Sequence, residues 1–386
     1  MWDYTFIVWF VTDSCFSHSV PSMIGQVLFI LYSIKKCFDL RYLKTSKIFL
    51  FYLLFCFFCW FNIHSGHALS VSTAEFMLKV VLRNFLTLFF LFQYLSRLNT
   101  IKVKKLLLVS FVIASIVLLI ENYHITGSII IRGGKSGING NEQAVNNAII
   151  LGWILFEWNY RKEKNYILIG ILLFFIILAG TRKAILSIVL IGTIGFILEN
   201  PNKILGNSIK ISFGVVFIFF VLFYVPFIYD IIGHRFESLF SIFDDTNTTE
   251  LDSSAETRQH FIDIGLTYIL HNPWNGYGID CFREIPGSFN TYSHNNYVEL
   301  LFGVGIPGMI SFYLMYLYTL LISIKKYFID RSKSLILGIS ILVTCLFADY
   351  AMVSYFYREM FLRMLLCYFF VAEIFSKNDK GLEYDS

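Results

Sequence analysis

Long apolar runs separated by short polar breaks dominate the chain, and the length of each run decides what it can be. A helix rises about 1.5 Å per residue, so crossing the hydrocarbon of a bilayer takes about 20 mostly apolar residues. Eleven runs have roughly that character, over residues 16–34, 47–64, 75–95, 105–121, 143–160, 164–180, 183–199, 208–229, 294–324, 334–350 and 358–376. The opening "MWDYTFIVWF" is too short to cross alone, and its two tryptophans suit the membrane–water interface; a twelfth crossing there is the alternative. The pattern predicts an all-α integral membrane protein of about 11 transmembrane helices (12 with the opening stretch) and one long outer loop carrying a short helix. Helices 1–8 occupy residues 1–229, the loop 230–293, helices 9–11 residues 294–376, and a cytoplasmic tail 377–386.

Composition agrees. Of 386 residues, 56% are hydrophobic and 15% charged, against roughly 25% charged in soluble domains. The basic residues cluster: Lys35, Lys36, Arg41, Lys44 and Lys47; Arg97, Lys102, Lys104 and Lys105; Arg161, Lys162 and Lys164; Lys203 and Lys210; Lys325, Lys326, Arg331 and Lys333; Lys377 and Lys380. All six clusters share one side if the eleven spans alternate, and the positive-inside rule makes that side cytoplasmic. The N-terminus is then outside and the C-terminus inside. The net charge of +4 reports this topology and no nucleic-acid partner, because no soluble segment carries a basic stripe with interleaved aromatics. "CFFC" at 56–59 lies in an all-apolar run with no second pair of ligands, so it reads as packing; no metal site and no cofactor is expected.

The chemistry gathers on the outer face. Ser253, with Glu256 three residues on, forms a capping-box pattern ahead of "TRQHFIDIGLTYIL", and Pro273 ends that helix. Arg258 sits in its first turn, the unfavourable end of the helix dipole for a cation, so it pairs either with an acid such as Glu256 or with an anionic ligand. Against the positive-inside trend, Arg132, Lys135, Arg182, Lys183, Arg235, Arg258, Arg283 and Arg358 face outward, and Lys79, Arg83 and Arg363 lie inside spans near their outer halves. Ionisable groups at membrane depth are functional candidates by default. Lys79 and Arg83 are four apart, on one helical face, where two like charges want an anion. Arg182 and Lys183 follow a tight turn at Gly180; they either snorkel to lipid phosphate or form a phosphate clamp.

"YSHNNYVELLFGVGIPG", at 292–308, puts His294 at the mouth of an apolar helix, as a structural interfacial residue or as a site residue. On a continuous helix Gly305 and Gly308 fall on the histidine's stripe but well below it, where they let a neighbouring helix pack closely while Pro307 adds a bend.

These residues resemble the signature of the O-antigen ligases and repeat-unit polysaccharide polymerases: His-Asn, nine residues, Gly, two residues, Gly, here His294, Asn295, Gly305 and Gly308. "NGNEQAVNNAI" at 139–149, "GTRKAIL" from Gly180 and "TRQHFIDIGLTYILHNPWNGYG" from Thr257 resemble three other family segments, in order and on the same side. The resemblance runs from about 137 to 310 and is absent from the first four spans. One departure concerns the family's glycine eleven residues after the arginine: Gly192 follows Arg182 by ten.

The resemblance implies a multi-pass enzyme of the bacterial inner membrane that transfers glycan from an undecaprenyl-pyrophosphate carrier to an acceptor sugar hydroxyl on the outer face. His294, Arg182 and Arg258 would be catalytic, with Asn295, Lys183, Arg83 and Lys79 binding substrate. A chain-length regulator and a flippase are the implied partners, beside the bilayer, the lipid-linked oligosaccharide and the acceptor glycan. A short chain with a modest outer loop favours a polymerase, for capsule, exopolysaccharide or O-antigen, over a ligase. A lipid-linked oligosaccharide flippase is the alternative from another class, though paired repeats would mark it and none is visible.

Overall fold

The computed structural model describes residues 2–16, 19–37, 45–131, 140–157, 165–199, 201–233, 236 and 253–372. Arg132, Lys135, Arg235, Arg41, Lys44, Arg161, Lys162, Lys164, the expected tail 377–386 and most of the loop's polar first part lie outside the described residues. Among the described residues the chain is helical, without strands. In order, the helices are α1 Trp2–Cys15, α2 Val20–Cys37, α3 Lys47–His64, α4 Val71–Leu95, α5 Thr100–Thr126, α6 Gly140–Phe156, α7 Tyr166–Ala179, α8 Arg182–Glu199, α9 Ile204–Tyr224, α10 Ser253–His271, α11 Asn296–Tyr327, α12 Lys333–Asp349 and α13 Arg358–Ala372.

Local chemistry sets the boundaries. Ser46, Ser70, Asn99 and Ser332 cap α3, α4, α5 and α12, each side-chain oxygen accepting from an N–H of the first turn. Gly180, at φ 57°, ends α7, and a single residue later Arg182 opens α8, the tight turn expected there. The bundle's outward faces carry exposed large apolar side chains, among them Leu50, Phe57 and Trp60 on α3 and Phe213, Phe217 and Phe220 on α9. A bilayer covers such a surface; water does not. Lys47–His64, Thr100–Thr126 and Asn296–Tyr327 are long and apolar enough to cross individually, and Ile211–Tyr224 with Pro226–Gly233 forms a pair bent by 86°. Helix length and composition thus support a membrane bundle without establishing eleven crossings.

The bundle has two distinct ends. At one, Lys102 pairs with Asp3 at 3.1 Å, Lys104 with Glu157 at 3.5 Å and Lys333 with Glu199 at 3.2 Å, while Lys47 lies over the Tyr318 ring. The starts of α3, α5 and α12 therefore share this basic end with the ends of α6, α8 and α11. Asp3 also accepts from Tyr94 Oη at 2.6 Å. The start of α1 therefore lies beside Lys102, at the basic end of the bundle, whereas the expected topology put the opening of the chain at the other end. The interfacial placement of the opening stretch is corrected with it. Phe6, Trp9 and Phe10 are fully buried against Phe29 of α2, Tyr94 of α4 and Phe111 of α5, so α1 is built into the bundle. Its far end, Asp13, pairs with Arg358 at the start of α13.

Close helix contacts rest on small residues. A Cβ at Gly152 would meet Ile191 Cδ1 at 2.8 Å and one at Gly195 would meet the Phe156 ring at 2.6 Å, which seats α6 on α8. Gly192 faces open space, so the shifted glycine after Arg182 carries no packing load. Cys56 and Cys59 are buried in α3, as packing requires.

Candidate functional site

The non-basic end is closed by α10 and by the loop 272–295, and the way this loop is anchored determines where His294 points. Residues 273–278 thread into α11. Tyr277 N donates to Phe302 O at 2.8 Å, Gly278 N to Gly303 O at 2.9 Å, and Ile306 N to Pro273 O at 2.9 Å. Carbonyls and an amide that a continuous helix would satisfy internally are instead satisfied by the loop. Gly305, with φ 66° and ψ −175°, is where the helix breaks. A Cβ there would collide with the Trp274 carbonyl, 2.5 Å from its carbon. This corrects the expectation that Gly305 lies on a continuous helical stripe beneath His294 and receives a neighbouring helix. Gly308 does face one, with its added Cβ 3.5 Å from Phe58 Cβ of α3.

The loop then returns across the top of α3 and α4. Leu69 N donates to Tyr277 O at 2.8 Å, Asn62 donates to the Asn275 carbonyl, and Thr73 Oγ1 to Glu284 Oε1 at 2.8 Å. Its last turn is fixed by α11: Ser293 N donates to Glu299 Oε2 at 2.8 Å, and Ser293 Oγ to Asn295 O at 2.9 Å.

The three polar residues that follow have separate roles. His294 has φ 57°, the left-handed region that non-glycine residues seldom occupy. Asn295 is the cap, its Oδ1 accepting from Tyr297 N at 3.0 Å and Val298 N at 3.2 Å. Asn296 is buried and ties α11 to the α12–α13 connection: it donates to Tyr313 Oη at 2.9 Å and accepts from Ser354 N at 2.9 Å. Of the expected substrate-binding residues, Asn295 thus has its side-chain oxygen committed to the helix start.

The His294 ring lies parallel to Phe261 of α10, with centroids 6.0 Å apart, and against Tyr292 at 4.4 Å. Burial first, then the charges of Arg258 and Lys183, lower the imidazole from its ordinary value to about 4. It is therefore neutral at neutral pH. Tyr292 is pushed up to about 12 by burial and by the charge of Glu142, and it shares a hydrogen bond with Tyr357. Lys183 Nζ stands 3.8 Å from Glu142 Oε1. Arg363 Nε donates to Asn146 Oδ1 at 2.7 Å and its Nη2 to the Glu142 carbonyl at 3.1 Å. The charges acting on Lys183 are those of Glu142, Arg258 and Arg363. Cations from α8, α10 and α13 and a carboxylate from α6 so converge beside a neutral imidazole at the entry to α11.

The remaining expected residues separate. Arg182 is half-buried at the head of α8, next to Lys183, but it is Lys183 whose charge acts on the imidazole. Arg83 is half-buried and faces a second polar cluster, of Asp13, Ser22 and Arg358, inside the bundle. Lys79, one turn away, is exposed. Sequence reasoning missed Glu142 and Tyr292, although "GNEQ" opens a helix and Tyr292 stands two residues before His294.

Residues 167–313 match the family model described as O-Antigen ligase. This part of the chain is similar to the O-antigen ligases. No curated protein matches the chain. The matched segment runs from α7 into α11 and contains Arg182, Lys183, Arg258, His294, Asn295, Gly305 and Gly308. It excludes Glu142 and Arg363, which the fold brings to the same cluster. The apolar exterior is that of a helical membrane protein, and residues 167–313 are similar to the O-antigen ligases.

Proposed function

We propose that the chain is a polysaccharide repeat-unit polymerase that transfers glycan from an undecaprenyl-pyrophosphate carrier to an acceptor sugar hydroxyl on the outer face of the bacterial inner membrane. The observation that carries this reading is a neutral imidazole, held in left-handed backbone, with Arg258 and Lys183 acting on it at the end of the bundle opposite the basic one. Glycosyl transfer from such a donor breaks the bond between the anomeric carbon and a phosphate oxygen, and negative charge grows on the departing pyrophosphate. Fixed cations aimed at that charge are the electrostatic form of catalysis. Arg258 and Lys183 supply them, Arg182 stands beside Lys183, and the N-terminus of α8 adds its dipole. His294 faces the acceptor hydroxyl, and exposed Trp274 and Phe289 on the covering loop offer faces for sugar rings.

A glycan ligase would use the same chemistry with a different acceptor, whereas a flippase would move the lipid-linked donor without cleaving it. The glycan of a deletion strain separates the three. Single repeat units on the acceptor support the polymerase; complete chains left on the carrier support the ligase; repeat units trapped on the cytoplasmic side support transport. A chain-length regulator and a flippase are the proteins expected to work beside it.

A further inference from the structure

Taking a proton changes an imidazole and a carboxylate in opposite ways. His294 would become a cation in a half-buried place already faced by Arg258 and Lys183, and burial penalises that form. A carboxylate that takes a proton becomes neutral and adds no cation to the site. Glu142 is a carboxylate in position. It is the third residue of α6, its side chain is 12% exposed, and its Oε1 lies 3.8 Å from Lys183 Nζ. Its backbone is held by Arg363, and its charge acts on Tyr292 and Tyr357, the hydrogen-bonded pair whose Tyr292 ring packs on His294.

We propose that Glu142 is the proton acceptor of the transfer and that His294 orients the acceptor hydroxyl; the assignment rests on the glycosyl-transfer reading above. The hydroxyl oxygen bonds to the anomeric carbon as its proton passes to a Glu142 carboxylate oxygen. The bond from that carbon to the phosphate oxygen breaks, and its electron pair leaves with the pyrophosphate. Lys183 links the two halves of the reaction. Unloaded, it pairs with Glu142; the donor's pyrophosphate draws it away and frees the carboxylate, so the base becomes available when a donor is present.

The test uses the full-length protein in nanodiscs with lipid-linked repeat units extracted from a strain lacking it, measuring turnover and donor retention at matched protein. Glu142→Gln should lower turnover by roughly 10² to 10⁴, the usual contribution of a positioned base, and leave donor retention unchanged. Formate should restore part of the turnover of Glu142→Ala, since a small carboxylate fits the vacated space, and should do nothing for His294→Ala. Should the glutamine variant fail to accumulate, the alanine variant with and without formate carries the same decision. Near-wild-type turnover in Glu142→Gln overturns the proposal. So does a loss without formate rescue that falls equally on donor retention, because Glu142 would then only set Lys183. If the wild type itself forms no glycosidic bond, the transfer reading fails; an active wild type with an active Glu142→Gln overturns the role of Glu142 alone.

Discussion

Gly305→Ala places a methyl group where the threaded loop passes through the break in α11. Its backbone, at φ 66° and ψ −175°, lies in a region essentially reserved for glycine, and a side chain there costs of order 1–3 kcal/mol. The added Cβ also falls on the Trp274 carbonyl and 3.0 Å from Asn275 N, both backbone, so the loop itself must move. Movement strains the bonds from Tyr277 N to Phe302 O, Gly278 N to Gly303 O and Ile306 N to Pro273 O. Each buried group left unpaired costs about 1–3 kcal/mol, so leaving one of them unpaired brings the total to about 2–6 kcal/mol. Against a whole stability of about 5–15 kcal/mol that is severe. Gly192→Ala is the control: it sits inside α8 facing open space, and alanine should gain up to about 1 kcal/mol in helix propensity. The assay is membrane abundance and thermal melting of the purified variants, with polymer formed per molecule as a second readout. The alanine at 305 should melt well below wild type and the alanine at 192 at or slightly above it. Equal melting of Gly305→Ala and wild type would refute the threading of the loop through the helix.

Three further outcomes follow from the same contacts. Because Asp3 meets Lys102, a reporter fused to the N-terminus should be cytoplasmic, as should tags at residues 40 and 330, while a cysteine at Asn247 should react with an impermeant reagent; an exposed N-terminal tag would contradict the pairing of α1 with α5. Asn295→Ala should lower stability by about 1 kcal/mol through the lost cap, with Asn295→Asp restoring it, since either side chain accepts from the first-turn amides; failure of aspartate to restore it would assign Asn295 to something other than capping. The His294 imidazole titrates near 4 in the fold and near 6.5 unfolded, so the unfolded chain binds more protons between those values and stability falls as pH drops from 6.5 towards 4. His294→Gln should flatten the melting temperature across that window relative to wild type, and parallel curves would show that the imidazole is not held neutral.

The apolar helices, the helix Ser253–His271 and the tight turn before Arg182 were legible because each depends on local pattern: apolar length, a run ended by a proline, a glycine in left-handed backbone. His294, Arg258 and Lys183 were legible because polar groups stand out where everything around them is apolar. What the sequence hid is tertiary. Nothing in "FGVGIPG" says that a loop enters the helix at Gly305, since a glycine at a helix–helix contact and one at a break look alike. The placement of α1 was equally hidden, because fourteen residues are short for a crossing and only the seating of Trp9 and Phe10, and the reach of Asp3 to Lys102, show where they go. Glu142 was missed because its relevance comes from Arg363 and Tyr292, distant in sequence and brought together by α6, α13 and the loop.

Transfer from a pyrophosphate-linked donor releases one free carrier pyrophosphate for every glycosidic bond made, and transport releases none. Phosphorus NMR on vesicles holding the purified protein and its lipid-linked repeat units reads that release directly, while gel separation counts the bonds. Wild-type protein should release carrier pyrophosphate in step with chain growth, and Arg258→Lys should be nearly as slow as Arg258→Ala, because lysine keeps the charge but loses the planar fork that grips phosphate. Movement of intact lipid-linked units across the vesicle without pyrophosphate release, or full activity in Arg258→Lys, would contradict a glycosyl-transfer site built on Arg258, Lys183 and His294.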